Sequence, residues 1–472
     1  MNSILFALGA LTMVIEFAIP RLIAPAYGYT MLGWTAIISV VLVAMTVGYL
    51  WGGMLTEQGK KTRKRIILFG CISSGWTILI ALFGSSVMNS LSFLGLLIGP
   101  LVASLLFAAL PTFLNAAVVP MVISTYQQGA GMASGKGFSI STIGSIVGVI
   151  STGYILLPLF GIEGALLVGS GLYFCSLFLY GERRLGLVGL GIVLALGWFV
   201  STKPLPENVL VDHSNGYHRI RIVERENHEG AAERVLYLDQ WVHSVTEVGK
   251  VTPMIDALEL ITNSIKPPKT ILVIGGGGFV MPRFLKQQFP DVEIDVVEID
   301  PDIERFARKY LELGNEVAVH IKDGRQYIMS TTKTYDLIFN DAYRAFDMPP
   351  HITTLEFNQL VKNKLNENGI YLINIADELH EPNYPRTQAS LLKTTQRIFP
   401  HLRAVNSDKY LGTDKYWGNT LVLATNTPLN LGRKIDYHES DGVLLTDNRA
   451  PTEFILFFDK LENKLSKWSG EG

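Results

Sequence analysis

Long apolar runs fill the first 201 residues of the chain and then stop. Most of them approach or exceed the ~20 residues that a helix needs to cross a bilayer. They cover residues 4–24, 32–55, 66–87, 91–126, 138–159, 165–180 and 185–201. The fourth is too long for one straight span, and its prolines Pro100, Pro111 and Pro120 predict two spans or one kinked helix. Residues 1–201 are therefore predicted to form an α-helical multi-pass membrane domain with seven or eight crossings.

From residue 202 the pattern is that of a water-soluble protein. Residues 202–212 contain Pro204 and Pro206 and are predicted to be a linker. Period-two alternation at 217–223 and 234–238 predicts a small antiparallel β domain, for which we expect residues 213–264, ending in a helix at 253–264.

The remainder, residues 265–472, alternates predicted strands and helices. Strands are predicted at 271–274, 292–299, 317–321, 336–340, 369–375, 403–407 and 419–425, and helices at 303–313, 353–366 and 386–399. Such alternation is typical of a mostly parallel sheet covered by helices on both faces. A Rossmann-like α/β fold is therefore expected, with ligands beyond the carboxyl ends of its strands.

Composition narrows the classes of partner. Of the 472 residues, 48% are hydrophobic and 17% charged, and the mean hydropathy is +0.28. A net charge of -2 gives no reason to expect nucleic acid as a partner. Both cysteines, Cys71 and Cys175, lie in apolar runs and are interpreted as small buried side chains. The histidines have no spacing typical of a metal site, so no metal is predicted.

A run of four glycines follows the predicted strand at 271–274. Gly275, Gly276, Gly277 and Gly278 precede an amphipathic helix, and Glu298 ends the next strand 20 positions after the last glycine. Glycines let the backbone come close to a ligand, and a strand-end acid at this distance can accept hydrogen bonds from ribose hydroxyls. The pattern favours a nucleoside ligand over a simple tight turn. Further strand-end loops contribute Asp323 with Gly324, and Asp341.

With these residues the chain from about 214 to 425 resembles the spermidine synthases, or polyamine aminopropyltransferases. Similar motifs are the Tyr-His pair at 217–218, Leu-Asp at 238–239, Ile-Gly-Gly-Gly at 274–277, Glu-Ile-Asp at 298–300, Asp-Gly at 323–324 and the strand ending in Asp341. The whole chain resembles the subgroup in which this domain is fused to a multi-span membrane domain. The resemblance implies a small β domain followed by a Rossmann-like methyltransferase/spermidine synthase fold.

The resemblance also implies a chemistry, in which decarboxylated S-adenosylmethionine donates an aminopropyl group to an amine such as putrescine. Asp341 would be the catalytic base. The nucleoside would be bound by His218, Gly275, Gly276, Gly277, Glu298, Asp323 and Gly324, with Glu298 on the ribose and Asp323 on the adenine amino group. The acceptor amine would contact Tyr217, His243, Tyr343, Arg344 and Tyr416. Asp341 could instead be a capping or loop residue.

Three departures separate this sequence from the family pattern. Gly278 stands where the family has an acid that binds the amine of the aminopropyl arm, and Arg344 replaces a second acid. Thr252-Pro253 stands near the position of a family Tyr-Gln or Tyr-His pair. An inward-facing Arg344 would repel a diamine. Compensating acids are available at Asp347, Asp377 and Glu378.

Three functions remain open from the sequence. The first is a membrane-integrated aminopropyltransferase. The second is an S-adenosylmethionine-dependent methyltransferase with a membrane-embedded or anionic acceptor, which Gly278 and Arg344 favour. The third is a polyamine or nucleoside sensor or transporter. The expected partners are the lipid bilayer and a small-molecule amine, and a homodimer is a candidate assembly.

The side of the membrane follows from basic loops and the number of spans. Residues 60–65 form the most basic connection and are predicted to be cytoplasmic, together with the N-terminus. Eight spans then leave the C-terminal region in the cytoplasm, and seven put it outside. Lys136, Arg183 and Arg184 favour seven, whereas the cytoplasmic origin of a nucleoside cosubstrate favours eight. The expectation adopted is a multi-pass protein of the cell (inner) membrane with a cytoplasmic catalytic domain.

Overall fold

The computed structural model describes residues 1–28, 30–57, 61–202, 204–227, 230–239, 241–249, 256–342, 349–375, 385–406, 419–435, 442–452 and 455. The chain divides into two compact units. The first comprises Met1–Pro204 with Ser214–His218, and the second comprises Leu205–His213 with Arg219–Gly472. Each unit has its own apolar core.

The first unit is a bundle of apolar helices. They are α1 (Asn2–Tyr27), α2 (Met31–Glu57), α3 (Thr62–Leu91), α4 (Gly95–Ser104), α5 (Leu110–Ile123), α6 (Ala130–Ser151), α7 (Leu157–Tyr180) and α8 (Arg183–Thr202). A π-turn at Leu105–Ala109 joins α4 to α5, so the long fourth apolar run forms one kinked helix. In the described chain, six helical stretches are long and apolar enough to cross a membrane.

The longest of these stretches, Ala130–Tyr180, contains a reversal of direction. Its 51 residues would extend for roughly 75 Å as a straight helix, far beyond the ~30 Å of a bilayer core. Gly161 inside α7 has a non-helical φ of 64° and separates two segments. The segment before it runs parallel to α1, because Phe6 packs on Gly144 and Ala10 on Gly148.

The segment after Gly161 runs antiparallel to α1. Ser3, at the start of α1, donates to the Ser176 carbonyl (3.4 Å), whereas Gly169 packs on Leu11 and Val14. The bundle therefore contains seven helical crossings that alternate in direction. The number of membrane spans, seven or eight from the sequence, stays a prediction.

Alternation brings the N-terminus and three helix connections to one end of the bundle. Tyr126, between α5 and α6, donates to the Asn2 side chain (2.8 Å). Arg63, at the start of α3, pairs with Glu182, just before α8 (2.9 Å). The chain leaves α8 at the opposite end. We call the end that contains Asn2, Arg63 and Glu182 the basic end, because the charged connections lie there.

The second unit begins with a four-stranded antiparallel sheet of order β1-β2-β3-β4. The strands are β1 (Val209–Ser214), β2 (Arg219–Glu226), β3 (Ala232–Leu238) and β4 (Trp241–Glu247). Part of the predicted linker, 209–212, is thus wrong, because Val209 and Val211 give these residues the alternation of a strand, and Val211 is buried. β4 was not predicted either, since its burial comes from packing against residues distant in sequence.

An eight-stranded mixed sheet follows, with the order β12-β10-β11-β9-β8-β5-β6-β7. Its strands are β5 (Thr270–Ile274), β6 (Glu293–Glu298), β7 (Ala318–Ile321), β8 (Tyr335–Asn340), β9 (Leu365–Ile375), β10 (His401–Asn406), β11 (Thr420–Thr425) and β12 (Arg433–Lys434). β5 to β9 are parallel, and β11 inserts antiparallel between β9 and β10. This is the predicted Rossmann-like methyltransferase fold.

Helices cover both faces of this sheet, which is why most residues of its central strands are buried and apolar. They are α9 (Asp256–Ser264), α10 (Val280–Gln288), α11 (Pro301–Tyr310), α12 (Gly324–Ser330), α13 (Leu355–Lys364) and α14 (Arg386–Gln396). Ile220 and Leu236 of the small sheet share one apolar cluster with Val273 and Leu421 of the large sheet. The two predicted soluble domains therefore form a single unit with a common core.

Candidate active site

The glycine run lies where the sheet changes winding direction. β5 has β6 on one side and β8 on the other, so a crevice opens beyond the carboxyl ends of β5 and β8. Gly275 has a φ of 99°, and a Cβ atom there would lie 2.7 Å from the Asp341 carbonyl oxygen. Only glycine fits this close approach. The predicted catalytic residue and the glycine run are therefore neighbours through their backbones.

Glu298 is anchored to the same loop by its carboxylate. Its Oε2 accepts from the Gly276 N–H (2.9 Å), and its Oε1 accepts from the Asp300 N–H (2.9 Å). The residue is only 6% exposed, so these two bonds fix the carboxylate at the end of β6. Each carboxylate oxygen can accept a second hydrogen bond. The predicted contact with two ribose hydroxyls is compatible with this arrangement.

Asp323 caps a helix that the sequence did not predict, α12. Its Oδ1 accepts from the Gln326 N–H (2.9 Å), and its Oδ2 is 2.8 Å from His351 Nε2. Gly324 follows directly, and a Cβ atom there would lie 2.5 Å from Ile274 Cγ2, at the end of β5. The Asp-Gly pair is thus packed against the strand that leads into the glycine run.

Asp341 follows β8 and has an unusual electrostatic environment. Asn374 on β9 donates from Nδ2 to Asp341 Oδ1 (2.7 Å). Burial raises the pKa of the Asp341 carboxyl to about 6, and the Asn374 hydrogen bond opposes the rise. The Asn374 Oδ1 atom is itself buried and has no hydrogen-bond partner in the described structure. A carboxyl with a pKa near neutrality is suited to exchange a proton with a bound substrate.

Gly278 is held against β4. Its N–H donates to Ser244 Oγ (2.8 Å), and a Cβ atom at 278 would lie 2.5 Å from Ser244 Cβ. The acid that the family pattern has at this position could not be accommodated without moving β4. His243 precedes Ser244 at a register shift in the pairing of β3 with β4, and its contact with the acceptor amine stays a prediction. Gly277, with a φ of 48°, lies between the two anchored glycines.

The remaining predicted contacts fall into two groups. Tyr217 and His218 lie in a turn that belongs to the first unit, where both N–H groups donate to Asn215 Oδ1 (2.7 and 3.0 Å). Tyr343, Arg344 and Tyr416 lie outside the described residues, as do Thr252 and Pro253 and the three acids named as compensating. The roles of both groups stay predictions.

Sequence reasoning missed Ser244, Asn374 and His351. The first two are interior strand residues, and each contacts a partner more than 30 positions away, so no local pattern marks them. Their one available signal was a polar residue within an otherwise apolar strand.

His351 is close to another contact that the sequence did not predict, in which Arg325 binds Asp447 with two hydrogen bonds (2.6 and 2.5 Å). That ion pair lowers the pKa of Asp447.

Among the described residues, no group of three or more His, Cys, Asp or Glu side chains is arranged to hold a metal ion. The site combines a backbone cradle for a ligand, an anchored acid at the end of β6 and a carboxyl with a raised pKa at the end of β8.

Comparison with known proteins gives a family for this region. Residues 252–403 match the family model described as spermine/spermidine synthase domain. A polyamine aminopropyltransferase of Vibrio vulnificus is 34% identical over 112 residues, which are 23% of this chain and 38% of the relative. One from Prochlorococcus marinus is 27% identical over 202 residues, 40% of this chain and 68% of the relative.

A methyltransferase is also among the relatives. The eEF1A lysine and N-terminal methyltransferase of Mus musculus is 32% identical over 137 residues, 26% of this chain and 20% of that protein. The chain spans well under half the length of this relative and of the Vibrio enzyme. The family model covers the glycine run and the strand ends that follow it.

Proposed function

Starting from the spermine/spermidine synthase domain that residues 252–403 contain, we propose that this protein is a membrane-integrated aminopropyltransferase. It would transfer the aminopropyl group of decarboxylated S-adenosylmethionine to an amine such as putrescine. The observation that carries the proposal is the Asp341 carboxyl, whose pKa of about 6 suits a base, beside a glycine run that is anchored to Glu298.

The reaction needs alignment and one proton acceptor. The lone pair of the acceptor nitrogen attacks the methylene carbon bonded to the sulfonium sulfur. The carbon–sulfur bond breaks, its electron pair remains on sulfur, and methylthioadenosine leaves. The attacking nitrogen loses a proton to the Asp341 carboxylate, so charge and atoms balance. Because the sulfonium is already an activated leaving group, positioning and general base catalysis are sufficient.

Asn374 can assist both the alignment of the substrate and the proton acceptor, Asp341. Its Nδ2 holds Asp341 Oδ1, which fixes the direction in which the carboxylate faces. Its unpartnered Oδ1 can accept a hydrogen bond from an N–H of the acceptor amine. A buried acceptor atom that finds a partner only when substrate binds contributes to substrate affinity.

S-adenosylmethionine-dependent methyl transfer is the second candidate, and the Gly278–Ser244 contact favours it. That contact leaves no room for an acid beside the aminopropyl arm, so the local charge does not select the decarboxylated donor. Calorimetric titration with S-adenosylmethionine and with its decarboxylated form tests the choice. We expect tighter binding of the decarboxylated form. A clear preference for the carboxylated form would overturn the aminopropyltransferase proposal.

The helix directions in the first unit indicate on which side of the membrane the second unit lies. Of the described lysines and arginines in the first unit, Arg21 lies towards the opposite end, where it contacts Asn215 and Gly216. The others lie at or near the basic end of the bundle, in a pattern typical of the cytoplasmic side: Lys61, Arg63, Lys64, Arg65, Lys136, Arg183 and Arg184. Seven crossings then direct the chain out of α8 on the opposite side. We therefore propose an extracytoplasmic C-terminal unit, in place of the cytoplasmic one expected from cosubstrate supply.

A further inference from the structure

A polar cleft interrupts the apolar interior of the first unit. It is lined by residues of α1, α2, α5 and α6, and it encloses about 20 Å³, which is room for one water-sized polar group. Leu8, Gly9, Met45, Ala116 and Val119 give it an apolar body, into which five polar side chains also project: Thr12, Tyr49, Asn115, Ser141 and Ser145.

The cleft lies deep within the bundle. Thr12 is ten residues after Asn2 in α1, a rise of roughly 15 Å, which is about half of a bilayer core. Tyr49 on α2 packs edge-on against Phe138 on α6, at a centroid distance of 6.0 Å, and closes one part of the gap between the two walls. Bulk water is absent at such depth, so polar groups there need partners within the protein or on a ligand.

Asn115 lacks one of these partners. The Thr12 hydroxyl donates to the Leu8 carbonyl (2.9 Å), so it can only accept from Asn115. The Asn115 amide must therefore present Nδ2 to Thr12 (3.0 Å), and this fixes its orientation. Its Oδ1 atom has no hydrogen-bond partner among the described residues, although the residue is only 2% exposed.

We propose that this cleft binds the hydroxyl group of an uncharged long-chain amphiphile that enters from the lipid between α2 and α6. The hydroxyl would donate to Asn115 Oδ1 and accept from Tyr49 or Ser141, while the alkyl chain would remain in the lipid outside the cleft. The lining contains no acidic or basic residue, so an ammonium or phosphate headgroup would enter without a counter-charge. The proposal rests on the membrane location of the first unit and not on the transferase chemistry.

Photolabelling of the full-length protein in phosphatidylcholine vesicles tests the site. The probe is a long-chain alcohol with a diazirine in its chain, and the control probe is its methyl ether, which cannot donate a hydrogen bond. We expect saturable labelling of peptides from α2 and α6 by the alcohol, with about tenfold less by the ether, the effect of one lost hydrogen bond.

Two variants test the polar contacts. Asn115→Leu and Tyr49→Phe each remove one polar group, and each should lower alcohol labelling severalfold. Thr77→Val is the matched control, because Thr77 is equally buried, donates to Ser73 within α3 and does not line the cleft. Its labelling should equal that of the unchanged protein.

The opposing outcomes are distinct. Equal labelling by alcohol and ether, or undiminished labelling of both cleft variants, would mean that Asn115 binds only a water molecule and would overturn the proposal. Release of the protein from vesicles by an alkaline wash would overturn the membrane location as well. Neither result bears on the transferase reaction, which is measured separately.

Discussion

Burial of the Asp341 side chain raises the pKa of its carboxyl and so affects its reactivity. Its carboxyl is destabilised as an anion by desolvation, and its one described hydrogen bond, from Asn374, does not restore an ordinary pKa. If it acts as the base, kcat/KM should rise about tenfold per pH unit below pH ~6 and level off above. Initial rates between mildly acidic and neutral pH check this. A flat profile would contradict the base role.

The raised pKa of Asp341 also predicts that its ionised carboxylate destabilises the fold, although this is the form that catalysis needs. The folded-state pKa of about 6 exceeds the ordinary value of 3.8, so the stabilising effect of the protonated carboxyl is lost as pH rises through 6. Asp341→Asn should therefore raise the Tm at neutral pH while abolishing turnover. The gain in the free energy of unfolding has an upper limit of about 3 kcal/mol. Thermal melts should converge as the pH falls towards 4. A lower Tm at neutral pH would refute the burial argument.

Asn374 can be tested against a matched residue on its own strand. Asn374→Leu removes the hydrogen bond to Asp341, so we expect kcat to fall about tenfold or more and the pH profile to shift upward, because the Asp341 pKa rises further. Asn366, at the other end of β9, donates to Asp336 (2.8 Å) in an equivalent pair away from the site. Asn366→Leu should leave the pH profile unchanged. A shift of similar size in both variants would assign Asn374 a purely structural role.

At the scale of elements, the conformation of the glycine run depends on its contact with β4, through Gly278 and Ser244. Gly278→Asp should disrupt the loop, because its Cβ would overlap Ser244. Adding Ser244→Gly removes that overlap, and the new carboxylate should then strengthen binding of decarboxylated S-adenosylmethionine about tenfold through its ammonium group. Calorimetry on the two single variants and the double variant checks this. Normal binding by Gly278→Asp alone would show that β4 does not restrict the loop.

The sequence predicted the elements that have a strong local pattern. The strands that end at Ile274, Glu298 and Asn340 are rich in buried apolar residues, and residues of the site stand at or just after their ends, which is why strand-end reasoning identified Glu298 and Asp341. Asp323 follows the end of β7 in the same way. β1 and β4 were missed because their burial is uneven and depends on tertiary packing. α12 was missed because it is only seven residues long.

Contacts between elements could not be predicted. Ser244 meets Gly278 and Asn374 meets Asp341 because the small sheet and β9 converge on the carboxyl end of β5 and β8. A single sequence does not show which residues distant along the chain come into contact. The helix reversal at Gly161 is similar, since a glycine in an apolar run has no distinguishing local signal.

For the whole molecule, the seven crossings predict which side of the membrane each unit faces. Single cysteines are introduced after replacing Cys71 and Cys175, one at Thr62 near the basic end and one at Glu207 after α8. In intact cells, a membrane-impermeant thiol reagent should label the second position and not the first. Labelling of neither position would restore the cytoplasmic expectation with an even number of crossings, and the reverse pattern would place the basic end outside and contradict the positive-inside assignment.

Product analysis distinguishes aminopropyl transfer from methyl transfer. The purified full-length protein is incubated with putrescine and both forms of the nucleoside donor, and the nucleoside product is identified by mass spectrometry. Aminopropyl transfer predicts methylthioadenosine, formed with spermidine and lost in Asp341→Asn. Accumulation of S-adenosylhomocysteine without methylthioadenosine would contradict the account and identify a methyltransferase.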